Sequence, residues 1–505
     1  MRIDGRVRIA QGRRVTSFRK SLAINFASSS GATLVMFAVS VIVARILTPA
    51  EIGVYSIAIV LVNIAHVFRE FGVGSYLQRA PDLTRAQVRS ALAVAYAIAW
   101  TVAAVVFISA EWVAAWFGYA EIAPVMRILA IGFLFIPFSS VALALLLREY
   151  DAKKISIGTV AGTAAYSATC IGLALAGFGA TSLAWANLAN VLATGVVYVW
   201  LGPLHMAYVP RFREVGAVLS FGAGALLTNL IKAANTALPD LILGKLGTAR
   251  QVGLLSRGNS TVNIFMYVAG SAITFGSQTY LAKAYHARRS LEPILHRAIA
   301  LVTAFGWPML AVTAVAAREV IVGLYGDQWL DAVPAIAPLA LMAAVELAFH
   351  YKVPAFNAIG RPYLSSIPLL ATAALRIGLG LALFTGDIVS FSWALMLASL
   401  ATSAIWLWLQ RRYLGCGIRA FLAMLMPSAL VAGLSADAAW AALAALDAAG
   451  IAAPLVRIAL LAVPVALVWL GALYALRHPL FGEIALFAGK LGIGRAAPER
   501  KEPAT

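Results

Sequence analysis

Apolar runs of about twenty residues recur from one end of the chain to the other, and the polar residues gather between them. Each run is long enough to cross a hydrocarbon core of about 30 Å as a helix. The runs do not alternate apolar and polar positions, so spanning β-strands are not expected. The pattern predicts an all-α polytopic membrane protein of about fourteen helices. These fall at about 21–44, 53–72, 90–110, 124–147, 155–177, 181–201, 215–241, 251–278, 295–317, 334–357, 364–385, 388–409, 419–437 and 454–476. LTPAEIG closes the first, Pro137 interrupts the fourth, and GFGAT joins the fifth to the sixth. The alanine-rich stretch with Asp437 and Asp447 reads as the connection between the last two helices. The tail beyond Arg477 reads as basic and partly disordered.

The chain also matches itself at an offset of two hundred residues. Thr48, Gly53, Ser56, Val62 and Asn63 recur as Thr248, Gly253, Ser256, Val262 and Asn263, while Arg45 becomes Lys245 and Glu51 becomes Gln251. Duplicated halves are usual in membrane transporters, where the site lies between the repeats. The expected organisation is a basic tail at 1–20, a first lobe at 21–205, a second at 206–412, a helix pair at 413–478 and a tail at 479–505.

Composition agrees with the pattern and excludes other classes. The chain has 505 residues, 62% hydrophobic and only 12% charged, about half the charged fraction of a soluble domain. The net charge of +18 suggests a nucleic-acid partner only until its placement is read. Arg2, Arg6, Arg8, Arg13, Arg14, Arg19 and Lys20 precede the first span, and further basic residues fall in every second loop. That asymmetry orients spans against an anionic cytoplasmic face, with both termini inside, and argues against nucleic acid. Cys170 and Cys416 lie at or inside apolar runs and imply no disulfide framework. The first apolar run is too long for a cleavable signal, so the mature protein is expected to begin at residue 1. No GxxxxGK[ST], HExxH or CxxC element occurs, so no enzymatic chemistry, catalytic residue or metal site is expected.

A charge at the centre of a membrane helix costs roughly 2.5–3.5 kcal/mol by insertion scales, so each one needs a reason. The second span carries Asn63, His66 and Glu70 along one face, with Asn263 as the repeat partner of Asn63. They either hydrogen-bond neighbouring helices or line a water-filled cavity. The seventh span holds Asn229, Lys232 and Asn235 in one sector, followed by Asp240. Lys232 either snorkels to the interface or joins Arg45 and Arg257 in making a positive mouth that attracts phosphate. Arg257 alternatively pairs with Asp240. Glu346 and His350 approach the Gly360 turn and Arg376 leaves it. This set is either a structural salt bridge between two spans or, together with Asp240, a protonatable site for ion coupling.

Three stretches carry a family likeness: VARILTPAEIGVYSIA at 43–58, REFGVGSYLQRAPDLTRAQV at 69–88 and ALLLREYDAKKI at 144–155. Over about residues 20–410 the chain resembles the Wzx-type polysaccharide-transporter branch of the multidrug, oligosaccharidyl-lipid and polysaccharide export superfamily. The resemblance implies two pseudo-symmetric six-helix lobes forming a V around a cavity, followed here by a C-terminal helix pair. It implies an undecaprenyl-diphosphate-linked oligosaccharide as cargo, flipped by alternating access across the bacterial inner (cytoplasmic) membrane for exopolysaccharide, capsule or O-antigen synthesis. Membrane lipids, a polysaccharide polymerase and a co-polymerase are the implied partners, with no cofactor beyond a proton or sodium gradient. Spans one, two, seven and eight would build the cavity, which adds Asn25 to Asn63, His66, Glu70, Asn229, Lys232 and Arg257. Related multidrug antiporters rely on buried acids in the first lobe, and the first span here has none. A cation-coupled small-molecule antiporter and a non-transporting assembly scaffold are the rival readings.

Overall fold

The computed structural model describes residues 18–69, 73–74, 77, 84–149, 151–201, 210, 215–264 and 277–490, without the side chains of 18–27, 69, 85, 215–228 and 487–490. Every regular element among them is helical. In order these are α1 (Phe18–Ile46), α2 (Pro49–Arg69), α3 (Arg85–Phe117), α4 (Ile122–Arg148), α5 (Ala152–Leu175) and α6 (Ala180–Leu201). Then follow α7 (Val215–Leu246), α8 (Ala249–Val262), α9 (Ser277–His286), α10 (Glu292–Val315), α11 (Ala317–Tyr325) and α12 (Val333–Ala348). The last are α13 (Lys352–Ala358), α14 (Ser366–Leu383), α15 (Ile388–Leu414), α16 (Ile418–Ala448), α17 (Pro454–Ala475) and α18 (Pro479–Lys490). Among the described residues, twelve helical stretches are long and apolar enough to cross a membrane. The other two expected spans, 215–241 and 251–278, run into residues that are not fully described.

Contacts divide the chain into two compact units. One holds the described residues up to Arg257 together with Leu369–Phe391; the other holds most of the remainder. Within the first unit the helices meet largely through small side chains: Ala91, Ala93, Ala99, Ala142, Ala184 and Ala186 are all fully buried. Small residues let backbones approach where lipid offers no hydrophobic drive toward association.

Two expectations about the C-terminal region need correction. Asp437 and Asp447 lie within α16, not in a connection. The alanine-rich composition that looked like a linker is strongly helix-forming. Residues just beyond Arg477 form α18 and do not trail away. Leu480, Phe481 and Ile484 pack on a buried cluster of Ala304, Val431, Ala472 and Leu473, and Arg297 pairs with Glu483 at 2.6 Å. The helix pair is tied to α11 by Arg457, which reaches Glu319 at 3.3 Å and Asp447 at 2.7 Å.

At the start of α18 the His478 ring is buried. The Leu480 N–H donates to its Nδ1 at 3.1 Å, which leaves Nε2 to carry the proton, 3.3 Å from Ser428 Oγ. Burial pushes the imidazole below its ordinary value of 6.5. The folded chain therefore holds this ring neutral, while the unfolded chain protonates it near 6.5. Its contribution is complete above that pH and is lost as pH falls below it. Amide exchange at Leu480–Ile484, corrected for intrinsic rate, is expected to accelerate between about pH 7 and pH 5. His478→Gln should flatten that dependence; an unchanged slope would mean that another group governs it.

Candidate functional site

The residues shared by the two repeats turn out to build a helix crossing. Thr48 N–H donates to Glu51 Oε2 at 2.8 Å, and Glu51 N–H donates back to Thr48 Oγ1 at 3.3 Å. Thr248 and Gln251 make the same pair of bonds at 2.9 and 3.2 Å. Each is a capping box, closing the free N–H groups at the start of α2 and of α8. One turn further on, Gly53 and Gly253 bring the two helix starts together. A Cβ at Gly53 would overlap the Ala249 carbonyl oxygen, and a Cβ at Gly253 would overlap that of Pro49. Pro49 and Ala249 are themselves repeat partners, so the contact is reciprocal, as a pseudo-twofold relation requires. Beyond Gly253, Arg257 projects from α8 to α1, where its Nη1 lies 2.5 Å from Ser40 Oγ and 3.4 Å from Ser40 O. The Tyr166 hydroxyl of α5 is within electrostatic reach of this guanidinium and hydrogen-bonds Cys170. Tyr55 of α2 hydrogen-bonds Asn187 of α6 in the same cluster. A half-buried cation is thus held among neutral hydroxyls, an arrangement suited to gripping an anion.

Other predicted residues spread over three places. Asn229, Lys232 and Thr236 are exposed on α7 at spacings that share one face, whereas Asn235 is buried on another. Asn63 is exposed on α2. His66, one turn on, packs its ring 4.4 Å from that of Phe133 and lines a cavity of about 480 Å³ with Ser139, Ser140, Asn190, Thr194 and Tyr198. The hydroxyls of Ser139, Ser140, Thr194 and Tyr198 donate to backbone carbonyls, so their lone pairs are what they offer the cavity. Arg45 is exposed in the last turn of α1, where a cation suits the helix end. Asp240 is half-buried immediately after Pro239. Asn25 and Glu70 fall outside the described side chains.

Arg376, buried on α14, donates from Nη1 to the Asn235 carbonyl at 2.7 Å. In the second unit, Asn263, just past the end of α8, donates to the Asn259 carbonyl of that helix at 2.8 Å. Glu346 is exposed and accepts a long 3.4 Å hydrogen bond from Ser399. The half-buried His350 stands edge-on to Tyr351 at 5.1 Å. Ser40, Tyr55, Tyr166 and Asn187 were not foreseen, because single hydroxyls and amides scattered along apolar spans leave no periodic trace.

Residues 42–334, more than half of the chain, match a family described as polysaccharide biosynthesis protein. The chain is 25% identical over 343 residues to the succinoglycan biosynthesis transport protein ExoT of Rhizobium meliloti (strain 1021), covering 66% of this chain and 68% of that one. It is 21% identical over 379 residues to the teichuronic acid biosynthesis protein TuaB of Bacillus subtilis (strain 168), covering 73% and 77%. Among solved structures, the lipid II flippase MurJ in an inward closed conformation matches with a TM-score of 0.67 over 94% of this chain and 99% of that one. At 14% identity that likeness is one of fold. With its many membrane-length helices and the match across 42–334, the chain is a multi-pass membrane protein that belongs to the polysaccharide biosynthesis protein family.

Proposed function

We propose that the chain flips an undecaprenyl-diphosphate-linked oligosaccharide from the inner to the outer leaflet of a bacterial cytoplasmic membrane. The product would feed a polymerase and co-polymerase that assemble an exopolysaccharide, capsule or O-antigen. Both termini would be cytoplasmic, the lobes would correspond to 21–205 and 206–412, and the chain would form no covalent intermediate with its cargo.

The observation that carries this reading is Arg257, a cation set by Ser40 among the hydroxyls of a membrane-embedded bundle. A guanidinium, whose five N–H groups form a planar fork, suits a diphosphate. The exposed face of Asn229, Lys232 and Thr236, with Asn63, supplies donors and acceptors for sugar hydroxyls. A lysine on such a face is costly against acyl chains and inexpensive beside water, which supports a wet path there. The prenyl tail would stay in the bilayer while the headgroup uses that path, which opens to each side in turn. Glu346, His350 and Asp240 are the groups proposed to take up a coupling proton or sodium ion.

The test is leaflet accessibility of labelled lipid-linked glycan in cells with no second flippase. Arg257→Gln should slow its appearance outside by about 10-fold or more, the loss of a charge-assisted hydrogen bond of about 1.5–3 kcal/mol. Arg257→Lys should retain part of the rate. Normal outward appearance in cells lacking the protein altogether would refute the reading.

A further inference from the structure

Pro239 interrupts α7 in the midst of its polar residues. Proline has no N–H, so the carbonyl four residues earlier, at Asn235, loses its helical donor. A membrane offers no water to replace it, and the freed group must be satisfied from a neighbour. Arg376 of α14 supplies the bond at 2.7 Å. The Asn235 side-chain amide reaches the other way, donating to the Leu369 carbonyl of α14 at 2.9 Å. The two helices therefore hold each other in both directions, through Asn235 on α7 and two turns of α14, with Asn235 and Arg376 only 7% and 9% exposed.

The same chain solves the same problem elsewhere without a charge. Pro308 in α10 frees the Ala304 carbonyl, and Trp469 Nε1 donates to it at 2.9 Å inside a packed cluster. An indole has one N–H and suits a joint that stays put. A guanidinium has five, so it can keep one bond while exchanging another, at the cost of a buried charge. Covering a carbonyl does not by itself call for arginine at 376.

We propose that Arg376 is a positioning residue: it clamps the proline break of α7 and so sets where the Asn229, Lys232 and Thr236 face points. Beyond the break, Gly244 lies close under Ile57 and Lys245 donates to the Trp116 carbonyl at 2.7 Å, which ties that end to α2 and α3. Lys232 lies about one turn before Asn235, across the break from Gly244 and Lys245. Bending at the break therefore moves Lys232 and leaves the far end in place. The use of this joint rests on the transport reading; its geometry does not.

Spin labels at Ala217→Cys and Leu246→Cys, in full-length protein with Cys170→Ala and Cys416→Ala, report the bend. A straight helix would set the two positions about 44 Å apart. The expected result is one narrow distance distribution in the parent chain, shorter than that value. Arg376→Gln should broaden it by several ångströms, and Arg376→Lys should broaden it less. Adding Pro239→Ala to Arg376→Gln restores the helical N–H and should give a narrow distribution again, near the straight-helix value. An unchanged distribution in Arg376→Gln, or a broad one that Pro239→Ala does not narrow, overturns the proposal. If Arg376→Gln fails to accumulate, the double variant must accumulate, and its failure also overturns it. Glycan that stays inside in the parent chain would strike at the transport reading and leave the clamp standing.

Discussion

Gly53→Val and Gly253→Val are each expected to stop translocation while leaving the chain folded. At both positions an added Cβ would overlap a backbone carbonyl oxygen, of Ala249 in one case and of Pro49 in the other. A flexible side chain could move aside; a carbonyl within a capped first turn cannot. The helix starts must separate, and overpacking of this kind costs about 1–3 kcal/mol or more. The cost is absent from any arrangement in which the starts have parted, so the substitution disfavours only the touching one. A bias of that size shifts a two-state population by about 5–150-fold. The reporter is Ile57→Cys, a fully buried position under Gly244, labelled with a membrane-impermeant maleimide. Labelling should be slow in the parent and faster with valine at either glycine. Because the contact is reciprocal, the double variant should add little to either single change. Normal glycan appearance outside with valine at both positions would show that the touching arrangement is not used in transport.

What the sequence displayed best was whatever the bilayer imposes. A spanning helix must be apolar along its length whatever it does, so helices were visible as runs. Their ends were less visible: Asp437 and Asp447 looked like a loop only because charge is rare elsewhere, and α16 continues through them. The repeat was also visible, but its meaning was not. Thr48 and Gly53 recur, with Gln251 in place of Glu51, because a cap and a close approach need those side chains or their absence, not because they meet cargo.

The candidate site divides in the same way. Lys232 and Arg257 could be singled out because a charge stands out in an apolar run. Ser40, whose hydroxyl sets Arg257, lies on a helix more than two hundred residues away, and no local pattern links the two. Asn235 and Arg376 were each noticed, but in separate groups. Their bond runs through a main-chain carbonyl, and a sequence shows such a group as free only to a reader who counts four residues on to Pro239.

Arg457→Met is expected to be the most destabilising single change at the junction of α11 with the C-terminal helix pair. Glu319 and Arg457 have side chains only 9% and 11% exposed, whereas the Asp447 side chain is 64% exposed. Removing the arginine leaves the Glu319 carboxylate buried without its cation, a change that typically costs about 3–5 kcal/mol. Asp447→Asn removes a shorter contact, 2.7 Å against 3.3 Å, yet should cost no more than about 1 kcal/mol, because water screens an exposed partner. Burial, not distance, therefore decides the order of the two effects. Replacing both buried partners, Arg457→Met with Glu319→Leu, removes the stranded charge and should recover most of the loss. Thermal unfolding of the purified protein in detergent, read with protease cleavage near 449–453, gives the comparison. An Asp447→Asn protein less stable than Arg457→Met, or a double variant no better than Arg457→Met, would mean that the buried pair does not hold this joint. Recovery in the double variant would assign the ion pair to anchoring α17 on α11.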